Sequence, residues 1–430
     1  MSSRFDRREM LRKTALAGVG ILASRGAIGA EPKSPNEKLN LAFVGAGGRG
    51  AANLGQLKRE NVVALCDVDE RRAGATFEKY PNARRFQDYR KMLQQMNKEI
   101  DAVVVSTPNH IHAPASAMAM RLGKHVYCEK PLTHSVYESR VLAQLAAEKK
   151  VATQMGTQIH ASDNYRRGIE ILRAGAIGAI REVDVWTTAT EGGGVRPADT
   201  PPVPAELNWN LWLGPAPYRP YHPCYLPREW HFWWDFGGGV LGNVGCHFMD
   251  LPFWALGLRH PTTIEAEGDP ISPESTPRRM TIRYEFPARG EMPPVTLTWY
   301  QGRPSPRVEG SEVAKWGFCF LFVGDKGMMA MNYGQRALLP EERFADYQPP
   351  ERSIPDSIGH WAEWVAACKT GSPTGCNFDY AGALTETVLL GNVAFRAGKK
   401  LEWDGPNLKV TNCPEAEQFV RREYRSGWRL

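Results

Sequence analysis

The stretch Gly45-Ala46-Gly47-Gly48-Arg49-Gly50 follows a short apolar run, Leu39–Gly45, and leads into a helix-compatible segment. Strand, then G-x-G-x-x-G, then helix is an order that few folds accommodate. Gly45 permits a tight turn, Gly47 lets the backbone approach a pyrophosphate, and Gly50 lets helix and strand pack closely. Gly48 and Arg49 complete the loop, and the helix N-terminus offers amide donors to an anion. A glycine-rich turn without ligand is the plainer alternative; the flanking strand and helix favour a dinucleotide.

The chain to about Gln154 alternates short apolar runs with helical stretches. The runs are Leu39–Gly45, Val62–Asp67, Ala102–Ser106 and His125–Cys128; the helices include Ala113–Leu122, closed by Gly123, and Val136–Lys149. Apolar strands alternating with helices predict a doubly wound parallel sheet, a Rossmann domain spanning 39–155. Asp67 ends the second run, where an acidic side chain accepts ribose hydroxyls; a strand-end cap is the plainer role. Its charge would repel a 2′-phosphate, so NAD is expected, with NADP left open by Arg71 and Arg72.

After Gln154 the pattern changes. A helix at Tyr165–Ala174 precedes an alternating run at Arg181–Thr188, a Pro- and aromatic-rich segment at Thr200–Phe236 and a helix at Gly239–Leu256. Strand-like runs recur at Met280–Phe286, Val295–Tyr300, Gly317–Val323 and Met328–Asn332, and helices at Ser357–Cys368 and Ala381–Arg396 close the chain. This predicts an α+β domain over 156–430 with a large, mostly antiparallel sheet.

The 430-residue length suits two domains, and 42% hydrophobic with 23% charged residues excludes disordered, collagen-like and disulfide-dense classes. Of the net charge of +6, four units belong to residues 1–30, where six basic residues face two acidic ones. Asp6-Arg7-Arg8-Glu9-Met10-Leu11-Arg12-Lys13 and the apolar run to Ala23 resemble a twin-arginine export signal, with a small-residue cleavage point at Ala27–Ala30 and a linker at 31–38. A tail without structure is the plainer reading. The remainder is near neutral and lacks a basic aromatic pattern, so no nucleic acid is expected, and no later segment is long enough for a membrane span. The eight cysteines show no zinc spacing, so no metal is expected.

Cys128-Glu129-Lys130-Pro131 resembles the signature of the Gfo/Idh/MocA oxidoreductases, named for glucose–fructose oxidoreductase and inositol dehydrogenase. Gly45–Gly50, Ser106-Thr107-Pro108-Asn109-His110, Trp209–Pro215 and Asn243-Val244-Gly245-Cys246-His247 follow in the family's order. Leu390–Ala394 and Lys400–Asp404 look like an exported branch found in planctomycete-type bacteria. The resemblance implies an active site between the two domains. It implies that Thr107, Pro108, Asn109 and His112 lie beside the cofactor, that Glu129 binds the nicotinamide ribose, and that Lys130 points at a substrate hydroxyl after a cis bond to Pro131. It also implies a homo-oligomer paired through the C-terminal sheet.

Oxidising a secondary alcohol needs a base near neutral pH and a donor that stabilises negative charge on oxygen. His247 matches the family's base and Lys130 the donor; taken singly, each could be an ordinary helix histidine or surface lysine. The family commonly has Asp where this chain has Asn243. On a helix, 243 and 247 share a face, so Asn243 is expected to lower the pKa of His247, with Asp250 on that face in partial compensation. Tryptophans and tyrosines crowd Trp209–Trp234 and suit a sugar platform or a loop core. Gln158, Tyr165, Arg166, Trp230, His231 and Asp250 are the expected substrate contacts.

These features predict a nicotinamide-dependent oxidoreductase acting on a sugar, polyol or glycoside hydroxyl. Export to the periplasm or cell envelope implies a tightly held, recycled cofactor. The alternatives are redox-assisted glycoside cleavage and a non-catalytic sugar-binding or regulatory protein.

Overall fold

The computed structural model describes residues 37–430, so the leader and all but the end of the linker lie outside the described residues. The first sheet has the order β3-β2-β1-β4-β5-β6, formed by Arg84–Phe86, Asn61–Cys66, Asn40–Val44, Ala102–Val105, His125–Cys128 and Thr153–Met155. Every pairing is parallel. Ala102–Val105 is buried on both faces, which explains its unbroken apolar run. Strand order reverses between β1 and β4, and ligands of such sheets bind at that crevice.

The second sheet runs β13-β12-β11-β7-β10-β9-β8-β14-β15. Its strands are β7 Ile180–Thr187, β8 Thr263–Gly268, β9 Met280–Phe286, β10 Val295–Gln301, β11 Phe318–Gly324, β12 Gly327–Met331, β13 Arg336–Leu339, β14 Leu401–Asp404 and β15 Lys409–Val410. Within this second sheet, among the described residues, only β7 and β10 pair in parallel. Burial alternates along β9 and β10, so one face packs on helices and the other stays open.

Several boundaries differ from expectation. Gly239–Leu256 is two helices, Gly239–Phe248 and Asp250–Leu256, with Met249 shared between their ends. The helix expected at Ala113 begins at Asn109, directly after Pro108. Strands β3, β6, β8, β13 and β14 are short or polar, and each is defined by its partner rather than by its own pattern. All eight cysteines are unpaired, and seven are buried.

The helix His360–Thr370 lies far beyond the expected boundary at 155, yet it covers the first sheet. Trp364 and Cys368 enter the core of Leu41, Phe43, Leu65, Val104 and Tyr127. Lys369 Nζ meets Glu60 Oε1 at 2.9 Å, both side chains being largely buried. The two domains therefore cannot be cut apart at one peptide bond. Trp364→Ala is expected to cost about 3–5 kcal/mol, read by urea denaturation; a loss below about 1 kcal/mol would show that this helix does not hold the first domain.

Candidate functional site

The first loop after β1 is built by close approach. Gly45 has φ 88°, and a Cβ there would lie 2.6 Å from the Ser106 carbonyl oxygen. At Gly50 a Cβ would sit 1.9 Å from the Gly45 carbonyl oxygen, so only glycine lets the helix Arg49–Gln56 start there. Gly48 is its N-cap and supplies no side-chain cap. Ala46 and Gly47 donate their amides to Asp67 Oδ2 at 2.8 and 3.0 Å. Asp67 thus holds the loop and also lines the cleft.

That cleft has a volume of about 740 Å³ and runs between the two domains. Its wall includes Gly45, Gly47, Gly48, Arg49, Asp67, Thr107, Pro108, Asn109, Glu129, Lys130, Gln158, Trp230, His231 and His247, which the sequence scattered over some two hundred positions. Thr107 Oγ1 is buried there without a partner among the described residues. A glycine cradle, an acid at the second strand end and an orphaned hydroxyl fit a dinucleotide. Arg72 lines the same wall, whereas Arg71 is held by Asp69 at 2.8 Å.

Glu129 is the hub of the opposite end. Its Oε1 accepts from Arg49 Nε at 2.9 Å, Asn53 Nδ2 at 2.9 Å and Gln158 Nε2 at 3.1 Å. A Cβ on Gly156 would lie 2.6 Å from Glu129 Oε2, so Gly156 makes room for the carboxylate. His112 is not in the wall. It spans the Pro131 and Thr107 carbonyls at 2.8 Å each and ties the two loops behind it.

The Lys130–Pro131 bond is cis, and Lys130 Nζ donates to Asn243 O at 2.6 Å and Oδ1 at 2.7 Å. Burial pushes the Lys130 ammonium below the ordinary lysine range, opposed by the Glu129 carboxylate. Asn243 therefore orients Lys130 rather than His247, which corrects the expected pairing on the helix face. His247 lies well below the ordinary histidine range because it is buried, with the charges of Lys130 and Arg49 adding to the effect. Its Nδ1 has no partner among the described residues.

Three expected substrate contacts lie elsewhere. Tyr165 is fully buried and donates to the His247 carbonyl at 3.3 Å. Arg166 faces Glu363 at 3.2 Å. Asp250 accepts from His160 at 3.0 Å and Tyr380 at 2.7 Å, and so cannot compensate at His247. His160, Asp250 and Cys376 come within 4.8 Å of one another, a buried trio whose sequence spacing concealed it. Trp209, Trp212, Tyr225 and Trp230 form a small core under the long segment; Trp212 and Trp230 also line the cleft, where Trp230 stacks on His231 at 3.7 Å. Burial holds His231 down at about 3, with the Lys130 charge next in effect.

Sequence reasoning passed over Asn53, Gly156 and Tyr333. Asn53 lies one helical turn beyond Gly50, a spacing that carried no signal without Glu129 beside it. Gly156→Ala is expected to displace Glu129 and weaken NAD binding about tenfold, measured by calorimetric titration; unchanged affinity would remove Glu129 from the binding surface.

Comparison with known proteins gives the context. A model of the oxidoreductase family's NAD-binding Rossmann fold matches residues 39–157, and one of its C-terminal alpha/beta domain matches 185–289. Inositol 2-dehydrogenase of Salmonella typhimurium is 30% identical over 146 residues, 33% of this chain and 43% of its own length. The chain thus spans under half the length of such curated relatives. The WlbA dehydrogenase of Bordetella pertussis, solved with NADH and UDP-GlcNAcA, aligns with TM-score 0.60 at 16% identity, covering 85% of this chain and 99% of that one. The aldose-aldose oxidoreductase of Caulobacter crescentus, solved with glycerol, aligns with TM-score 0.56 at 17% identity, covering 85% and 100%. With both family models matching in sequence order on a cleft of this construction, the chain belongs to the Gfo/Idh/MocA oxidoreductase family, and its first domain is that family's NAD-binding Rossmann fold.

Proposed function

We propose that the protein is an NAD-dependent oxidoreductase acting on a CH–OH group of a sugar, polyol or glycoside. The observation that carries this reading is the meeting of Lys130, His247 and Glu129 at one end of the cleft. NAD, when bound, supplies a nicotinamide that accepts hydride from a carbinol carbon or returns it to a carbonyl carbon.

The chain's own residues handle the proton and the oxygen. Burial keeps His247 neutral in mild acid, so its imidazole can accept a proton where an exposed histidine would already be charged. Lys130 is fixed by two bonds to Asn243, so its remaining donor is aimed without a search among rotamers. A positively charged donor at the substrate oxygen stabilises alkoxide character. Trp230 and Tyr333 offer apolar faces and Gln158, Arg228 and His231 polar edges around the remaining volume, which suits a hydroxylated ring.

The residue pattern at 1–30 supports export by the twin-arginine route to the periplasm or envelope, in the manner of the planctomycete-type branch. Because free NAD is scarce there, the cofactor stays bound and is recycled, either by reducing a second sugar or within a glycosidase-like cycle. The latter would oxidise a ring hydroxyl, eliminate the aglycone, add water and reduce again. The open face of β9 and β10, with Thr281, Arg283, Thr296 and Thr298 outward, supports pairing of subunits through the C-terminal sheet.

Incubating the NAD-loaded protein with sugars and aryl glycosides tests the reading. Sugar-dependent formation of NADH or of a second reduced sugar supports the oxidoreductase; aglycone release without net NADH selects the cleavage cycle. Lys130→Met is expected to lower turnover at least a hundredfold while sugar and NAD still bind. Full retention of turnover would defeat the assignment of Lys130, and sugar binding without turnover in the native protein would favour the regulatory alternative.

The pH profile gives an independent check. A carboxylate at 243 would favour the charged ammonium and raise the pKa of Lys130. Asn243→Asp is therefore expected to move the alkaline limb of kcat/KM to higher pH. The acid limb, set by His247, should lie below the ordinary histidine value of about 6.5 in the native protein. An alkaline limb that stays in place in the variant would exclude Lys130 as the group that titrates there.

A further inference from the structure

The last ten residues fold back across the first domain, although they follow the helix Glu417–Val420 at the far end of the chain. Arg422 Nε donates to Glu138 Oε1 at 2.7 Å, and Arg422 Nη2 to the His110 carbonyl at 2.7 Å. Tyr424 donates its hydroxyl to the same Glu138 oxygen at 2.6 Å. Glu138 is almost fully buried, and it also completes the capping box of its own helix with Ser135. A buried carboxylate stripped of its cation would be left uncompensated, so this pairing holds the tail down. Arg425 adds bonds to Asn210 Oδ1 at 2.7 Å and to the Gly214 carbonyl at 3.0 Å.

These anchors deliver Trp428 to the mouth of the cleft. Its ring lies 6.1 Å from that of Tyr89, and the Arg90 guanidinium sits 4.1 Å above it. Arg90 is itself clamped to Asp88 at 2.8 Å and donates to the Gly427 carbonyl at 3.2 Å. Trp428 lines the cleft together with Gln87, Asp88 and Tyr89, on the side of Asp67 rather than of Lys130. In a sheet of this order, the adenosine half of a dinucleotide lies over the ends of the second and third strands, which Asp67 and Gln87 directly follow here.

We propose that the C-terminal tail builds one wall of the adenine subsite, with the Trp428 indole as the surface against which the purine packs, and that it thereby slows release of NAD. This rests on the reading that NAD occupies the cleft. One side of the indole is taken by the Arg90 guanidinium, which orders the ring before ligand arrives. Aromatic side chains hold any base through its π-face, so the contact needs no hydrogen-bond match. A strap closed by a buried ion pair would retain the cofactor through repeated turnovers.

The test uses the full chain with NAD and ADP-ribose as probes. Trp428→Ala, and separately deletion of 426–430, should raise the ADP-ribose dissociation constant about tenfold or more and speed NAD release by a similar factor. Trp428→Phe, which keeps an aromatic face, should stay within about threefold of the native chain. ADP-ribose should quench the native fluorescence more than that of Trp428→Phe. Native affinity and native release rates in Trp428→Ala and in the deletion would overturn the subsite while leaving the NAD reading intact. Equal losses in Trp428→Ala and Trp428→Phe would also overturn it, because they would mark a packing role. A native chain that binds neither NAD nor ADP-ribose would overturn the functional reading and this one with it.

Discussion

The site depends on one buried carboxylate. Glu129 directly follows the fifth strand and gathers Arg49 from the glycine loop, Asn53 from the first helix and Gln158 from the start of the second domain. A carboxylate this enclosed is tolerable only when donors surround it. Its satisfaction therefore fixes the loop, the helix and the domain junction relative to one another. Gly156 is the steric counterpart, because any side chain there would occupy the carboxylate's place.

From that hub the cleft acquires two differently charged neighbours. Lys130 follows Glu129 in the chain and donates to the Asn243 carbonyl and side-chain oxygen. His247 lies one turn beyond Asn243 and is kept neutral by burial and by nearby positive charge. An amine held by Asn243 and an imidazole held low by burial are the two groups that the proposed alcohol oxidation calls for. The departure from the family's Asp is thus absorbed at Lys130, a result that helix periodicity alone pointed to the wrong partner for.

The aromatic segment shows why burial must be seen to be known. Trp209, Trp212, Tyr225 and Trp230 share one small core, yet of these four only Trp212 and Trp230 also line the cleft. Arg166 and Asp250 had the right chemistry and lie close in the chain to cleft residues. Each is consumed by an ion pair or hydrogen bond formed with an element distant in sequence. Long-range partners also decided the short strands Thr153–Met155 and Leu401–Asp404, whose residues carry little pattern of their own.

What the amino-acid sequence determined by itself is whatever depends on neighbours within a few residues. Glycines at 45, 47 and 50 between strand and helix, Val-rich buried strands, alternation along β9 and β10, and Glu129-Lys130-Pro131 after a strand all belong to that class. They were enough for the central strands of both sheets and for the part of the cleft wall built by the glycine loop, Thr107–Asn109 and Glu129–Lys130. The tertiary structure alone decided that Asn243 serves Lys130, that the helix His360–Thr370 completes the first domain, and that Trp428 reaches the cleft across more than three hundred residues of chain. The reason is physical: backbone conformation and amphipathic pattern are set locally, whereas the partner of a buried polar or charged group is chosen by whatever the folded chain brings within reach.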